Sequence, residues 1–157
     1  MSTAAEWHGS ADRLVYVDTS ALAALLIDQP TSPALVQWLD ATPASLVSSD
    51  LLETELRRIA VREGVGQADV TRVLDGVSLA ALDRAVFRSA GLLPMPYLRT
   101  LDALHLEAAL RLDVSAVLTY DHRLGDAARA AGLDVIAPGS GDESSPGATE
   151  PNGPSQE

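Results

Sequence analysis

Short runs of aliphatic residues alternate along the chain with longer stretches whose apolar positions recur every three or four residues. Leu-Val-Tyr-Val at 14–17 is the first such run and predicts a buried strand. Asp18, Thr19 and Ser20 follow as three consecutive capping residues, and 21–27 reads as a helix. A turn at 29–33 leads into a second short helix through Trp38. Residues 46–48 predict another strand, and Ser48-Ser49-Asp50 caps a helix running to about Glu63. Gly64 breaks it, helix resumes over 68–74, and 77–82 is a third strand candidate. Pro94 and Pro96 mark a loop before a helix over 98–111. Residues 116–119 read as strand, 123–131 as helix with Gly132 past its end, and 134–137 as a last strand. Strands alternating with helices predict an α/β fold, a mainly parallel sheet covered on both faces. In such sheets ligands bind beyond the carboxyl ends of the strands.

The pattern stops at both ends. Residues 1–12 read as a flexible polar leader, 13–138 as one domain, and 139–157 as a disordered acidic tail rich in Gly, Ser and Pro. The 157 residues are 46% apolar but only 4% aromatic, so Leu, Val, Ile and Ala must fill the core. No apolar run approaches the roughly 20 residues that span a bilayer, and the N-terminus lacks the pattern of a secretory signal. With no cysteine there are no disulfides and no thiolate metal ligands, which makes a reducing cytoplasm the expected setting.

All eleven basic residues are arginine. Without a lysine, P-loop nucleotide hydrolases, Schiff-base enzymes and pyridoxal enzymes are excluded. The net charge is −11; setting aside the four acids of the tail leaves eleven bases against eighteen acids, a net of −7. Such a body does not adhere to nucleic acid by simple charge attraction. It can still act on nucleic acid if bound cations neutralise its carboxylates.

Four acids stand at strand ends and helix starts. Asp18 follows the first strand, Asp121 the fourth, and Glu55 and Asp102 lie in the first turns of two helices. Taken singly, Asp18, Asp102 and Asp121 could be helix caps or first-turn acids opposing the macrodipole. At about 100° per residue, however, Glu55 flanks the side that carries Leu52, Leu56 and Ile59, whereas Glu53 lies nearer solvent. Asp102 shares a side with Leu106 and Ala109, and Glu107 and Arg111 share the opposite, outward side. An inward carboxylate is costly unless an arginine or a shared cation compensates it. Four acids at one crevice would suit a hard, oxygen-seeking ion such as Mg²⁺ or Mn²⁺, the equipment of phosphodiester hydrolysis.

With these residues in view the chain resembles a PIN domain of the VapC toxin type. The resemblance rests on Val17-Asp18-Thr19-Ser20-Ala21-Leu22, on SSDLLETELR from Ser48, on LRTLDALHL from Leu98, on LTYDHRL from Leu118 and on AARAAGLDVIAP from Ala127. It implies a Rossmann-like three-layer fold and an endoribonuclease that is the toxin of a type II toxin–antitoxin pair. It further implies a homodimer, a cognate antitoxin that assembles with it, and a Mg²⁺ or Mn²⁺ centre. By that likeness Asp18 and Asp102 are the principal metal ligands, Glu55 binds metal or activates water, and Asp121 completes the acid cluster. Ser20 and Thr119 would orient these groups from behind. His105, one turn after Asp102, is expected to be a hydrogen-bonded structural residue rather than a ligand. Arg99 and Arg123 flank the crevice and could grip phosphates or form surface ion pairs. Trp7 and Trp38 are expected to pack rather than stack on bases.

One rival reading fails on particular residues. A haloacid-dehalogenase-like phosphatase or a receiver domain needs a second acid near the first and a lysine; Ser20 stands at that place and there is no lysine. A non-catalytic PIN-like module does not need all four acids. A PIN ribonuclease serving RNA maturation instead of toxicity fits the same residues.

Overall fold

The structure is a computed structural model that describes residues 13–141; the leader at 1–12, with Trp7, and the tail from 142 onward lie outside the described residues. Five strands form one parallel sheet: β1 (Leu14–Val17), β2 (Ser45–Ser49), β3 (Ser78–Ala80), β4 (Ala116–Leu118) and β5 (Asp134–Ile136). Their order is β3-β2-β1-β4-β5, so the chain builds outward from β1 to one side and then returns to build the other. The strand pairs are all parallel, with Tyr16 beside Val47 on one side and Val117 on the other. The reversal between β1 and β4 is the switch point at which such sheets open a crevice.

Among the described residues, seven helices cover the sheet: α1 (Thr19–Leu26), α2 (Ser32–Ala41), α3 (Asp50–Glu63), α4 (Gln67–Leu74), α5 (Arg84–Ala90), α6 (Thr100–Arg111) and α7 (His122–Ala130). Strand alternation sorts them onto two faces. Val15 and Val17 of β1 and Ala116 and Leu118 of β4 pack with Leu22, Leu35, Leu52 and Leu56. Tyr16 and Val117, pointing the other way, pack with Leu106, Ala109, Leu124 and Ala128. Trp38 packs against the first of these cores. Gly64 ends α3 in the left-handed conformation, φ 71°, as the sequence break suggests. At Gly139, φ is 79° and a Cβ would stand 2.8 Å from that of Ala34, so the turn after β5 closes tightly on α2.

Sequence periodicity misses α5. Asp83 caps it, accepting from the Val86 amide at 2.9 Å, but only Val86 and Ala90 of its seven residues are buried. A helix that short shows no repeat. The omission has a consequence on α6. Glu107 does not face solvent as expected: it is 8% exposed, because α5 packs over that side of α6. Its carboxylate accepts from Arg111 Nε at 2.9 Å, and Arg111 continues to Ser89 Oγ at 3.0 Å and the Ala85 carbonyl, fastening α6 to α5. Arg111→Ala would leave a nearly buried carboxylate unpaired. The expected loss is about 1–3 kcal/mol, or a melting temperature lower by about 3–8 °C, with Glu107→Gln milder; thermal denaturation unchanged within a degree would contradict this packing.

Candidate active site at the carboxyl ends of β1 and β4

Asp18 leaves β1 with its amide bonded to the Leu118 carbonyl of β4 at 3.0 Å, so the sheet itself sets its place. Its side chain caps α1, and its Oδ2 accepts from Ser20 Oγ at 2.7 Å and Thr119 Oγ1 at 2.9 Å. The two hydroxyls lie 3.2 Å apart. They are fixed in turn by backbone: the Tyr120 amide donates to Ser20 Oγ, and the Asp121 amide to Thr119 Oγ1. A carboxylate 5% exposed thereby has its hydrogen-bond donors without an arginine.

Glu55 projects from the second turn of α3. Its Oε1 accepts from Thr19 Oγ1 at 3.1 Å and is hydrogen-bonded to His105 Nε2. Asp18 Oδ1 is 3.8 Å from the same imidazole nitrogen. The ring's other nitrogen, Nδ1, lies 2.7 Å from Tyr16 Oη, and the Tyr16 hydroxyl donates to Ser49 Oγ at 3.0 Å. Burial by itself pulls this histidine down, but the Glu55 bond and the charges of Asp18, Glu55 and Asp102 outweigh it, and its pKa rises above the usual value. Burial also pushes the Tyr16 hydroxyl up to about 12, which keeps it protonated.

His105 is thus hydrogen-bonded, and its partners are the acid cluster itself. Sequence reasoning treats it as structural and misses Tyr16 and Thr19 altogether. The available signal is the spacing of His105 three residues after Asp102, which puts both on one side of α6.

Asp102 differs from Asp18. It lies in the first turn of α6 but does not cap it; Arg99 occupies that position. Burial first, then the charges of Asp121 and Asp18, raise its pKa to about 6. Asp121 caps α7, its Oδ1 accepting from the Leu124 amide at 2.9 Å. Capping and membership of a charge cluster therefore coexist at Asp18 and Asp121. Among the described residues, no three acids or imidazoles converge on one point where an ion could be held by all of them. The charges of Asp121, Asp18 and Glu55 all act on Asp102, but Asp121 is occupied by its helix and Glu55 by Thr19 and His105. Arg99, His122 and Arg123 are exposed.

The raised Asp102 pKa has a definite sign. Between its ordinary value of 3.8 and about 6 the folded protein binds more protons than the unfolded chain. Metal-free stability therefore falls as pH rises through that window and stays low above it. Asp102→Asn removes the penalty, worth about 1–2 kcal/mol after allowance for partial exposure. In chelator at pH 7.5 the variant should melt a few degrees above the parent, and the two should converge near pH 4. A variant that melts lower at pH 7.5 would refute the crowding of charge at this position.

The chain matches the PIN domain over residues 15–130. It is 38% identical to ribonuclease VapC47 of Mycobacterium tuberculosis (strain CDC 1551 / Oshkosh) over 80% of its own length and 98% of that protein's. It is 41% identical to ribonuclease VapC46 of strain H37Rv, over 79% and 97%. Among solved structures it resembles M. tuberculosis VapC20, a sarcin-ricin loop cleaving toxin, with a TM-score of 0.66 at 16% identity, covering 79% of this chain and 99% of that one. A toxin–antitoxin complex from Klebsiella pneumoniae gives a TM-score of 0.61 at 19% identity, over 79% and 97%. The fold, the span of the match and the identity to these ribonucleases agree: the protein belongs to the PIN-domain family, in its VapC branch.

Proposed function

We propose that this protein is an endoribonuclease that hydrolyses RNA phosphodiester bonds with the help of Mg²⁺ or Mn²⁺, and that it serves as the toxin of a toxin–antitoxin pair. Its VapC relatives are named ribonucleases, and one fold neighbour is part of a toxin–antitoxin complex. The observation that carries the reading in this chain is the half-buried Asp102 carboxyl, raised to about 6 in the company of Asp121, Asp18 and Glu55. Excess negative charge confined to one crevice is what a cation relieves.

The donor set fits a hard ion, being all oxygen. Mg²⁺ keeps most of its water shell and takes one or two carboxylates directly, so the open arrangement suits it better than a closed cage would. In this reading Asp18 and Asp102 would hold the ion, and Asp121, whose charge acts on Asp102, would add to the attraction. When bound, the ion would supply a Lewis acid for the phosphate and a water of lowered pKa. Both bonds to Glu55 land on Oε1, which leaves Oε2 to take a proton from the attacking water. Thr19 and His105 keep that carboxylate from turning away, and Ser20 and Thr119 do the same for Asp18. The remaining assignments are a homodimer working in the cytoplasm and a basic antitoxin segment that competes for the acids. No described helix is long and apolar enough to cross a membrane.

Incubation of the purified protein with structured RNA tests the chemistry. Cleavage is expected with Mg²⁺ or Mn²⁺, none in EDTA, and at least a hundredfold loss in Glu55→Gln and Asp18→Asn at unchanged folding. Cutting that continues in chelator would overturn the metal assignment, and full activity in both variants would overturn the site.

A further inference from the structure

Beside the acid crevice, and sharing Thr119 and Asp121 with it, lies a half-open cavity of about 270 Å³. Three segments distant in sequence make its walls: the turn between α1 and α2, the start of α7, and β5 with the turn that follows it. We propose that this cavity is a nucleobase subsite, taking the base of the nucleotide next to the scissile phosphate. The inference rests on the ribonuclease reading and adds to it the place where sequence preference is set.

Several observations support this occupant. The volume sits just below the range of sites for drug-sized ligands, as a single base requires. The lining alternates apolar surface from Val135 with hydrogen-bonding side chains of Gln29 and Thr31, a mixture suited to a flat ring with polar edges. Tyr120 contributes an aromatic ring whose hydroxyl is tied to the Pro138 carbonyl at 2.7 Å, so the ring is pinned, and base–aromatic stacking tolerates any base. Arg129 brings a cation to the cavity wall. Because Asp121 and Thr119 belong to both places, an RNA strand with one phosphate at the acids reaches the cavity within a nucleotide.

Gly125 sharpens the case. It is the fourth residue of α7 and buried, and glycine inside a helix is a poorer choice than alanine. Packing does not demand it. A Cβ there would meet Val135 Cγ1 at 3.6 Å, Arg129 Nη1 at 3.8 Å and Thr119 Cγ2 at 4.0 Å, all ordinary contacts. Those same three residues line the cavity. The fold would accept a methyl group at 125; what the methyl would consume is the space.

Stability and function should therefore move in opposite directions. Gly125→Ala is expected to raise the melting temperature by about 2–5 °C, and Gly125→Met to fill the cavity further. Two readouts apply. With Mn²⁺ and a pool of short RNAs randomised around the cut, wild type should show a base preference at one position next to the break. In the variants that preference should flatten, and cleavage of the preferred sequence should fall about tenfold or more, with preferences elsewhere kept. With Mg²⁺ in place of Mn²⁺, titration with each of the four nucleoside 5′-monophosphates should shift the amide NMR signals of Tyr120, Gly125 and Val135, and Gly125→Met should abolish the shifts. Identical cut sites and rates in folded Gly125→Ala and Gly125→Met would overturn the proposal, as would the absence of pocket shifts with all four nucleotides. So would variants that lose only their response to an inhibiting partner protein, since the cavity would then seat a side chain of that partner. A wild-type protein that binds nucleotide in the cavity but cuts no RNA would overturn the ribonuclease reading and leave the subsite standing.

Discussion

A carboxylate buried as deeply as that of Asp18 must be compensated, and the rest of the site follows from how this is done. No arginine approaches it. Two hydroxyls, from Ser20 and Thr119, and the first turn of α1 donate to one oxygen, while His105 faces the other. The Ser20 donors are local, but the Thr119 hydroxyl reaches Asp18 only because β4 returns beside β1, bringing residues about a hundred positions apart into contact. The 3-2-1-4-5 strand order is thus not a neutral scaffold. It brings the carboxyl ends of β1 and β4 together, and with them Asp18 and the Thr119–Asp121 turn.

Compensation at Asp18 is local and incomplete for the cluster. His105 hydrogen-bonds Glu55 and faces Asp18, and the charges of Asp18, Glu55 and Asp102 raise its pKa against the pull of burial. Asp102 remains with its pKa raised, so the metal-free site carries more negative charge than it can settle. A buried carboxylate crowd destabilises a fold, and a chain with net charge −11 has little basic surface to spare for relieving it. In the proposed function the missing charge arrives as a divalent cation during catalysis, and as a basic segment of an antitoxin during inhibition. Both roles then draw on one deficit.

Much of this was legible in the sequence, for local reasons. Leu-Val-Tyr-Val followed by Asp-Thr-Ser specifies a strand, a cap and a helix within a dozen residues, and the structure has all three. The inward lean of Glu55 follows from helical angle alone, and its side chain is 25% exposed against 44% for Glu53. What periodicity could not supply was partnership at a distance. His105 finds Tyr16 and Glu55 across 89 and 50 residues, and only the folded sheet shows that a structural histidine is also tied into the acid cluster. Glu107 was misjudged because the helix that covers it, α5, is too short to register as a pattern. The cavity at Gly125 is built from three separated segments, and in the sequence that glycine is only a weak point in a helix.

Whether Asp18 and Asp102 together take a cation decides how this site works. The most direct measurement is anomalous diffraction from crystals of the protein soaked in Mn²⁺ near pH 7.5. The account expects one strong peak within bonding distance of both the Asp18 and Asp102 carboxylates, missing from crystals of Asp18→Asn. A peak only at exposed His122, or a crevice that stays without anomalous signal at saturating Mn²⁺, would contradict it.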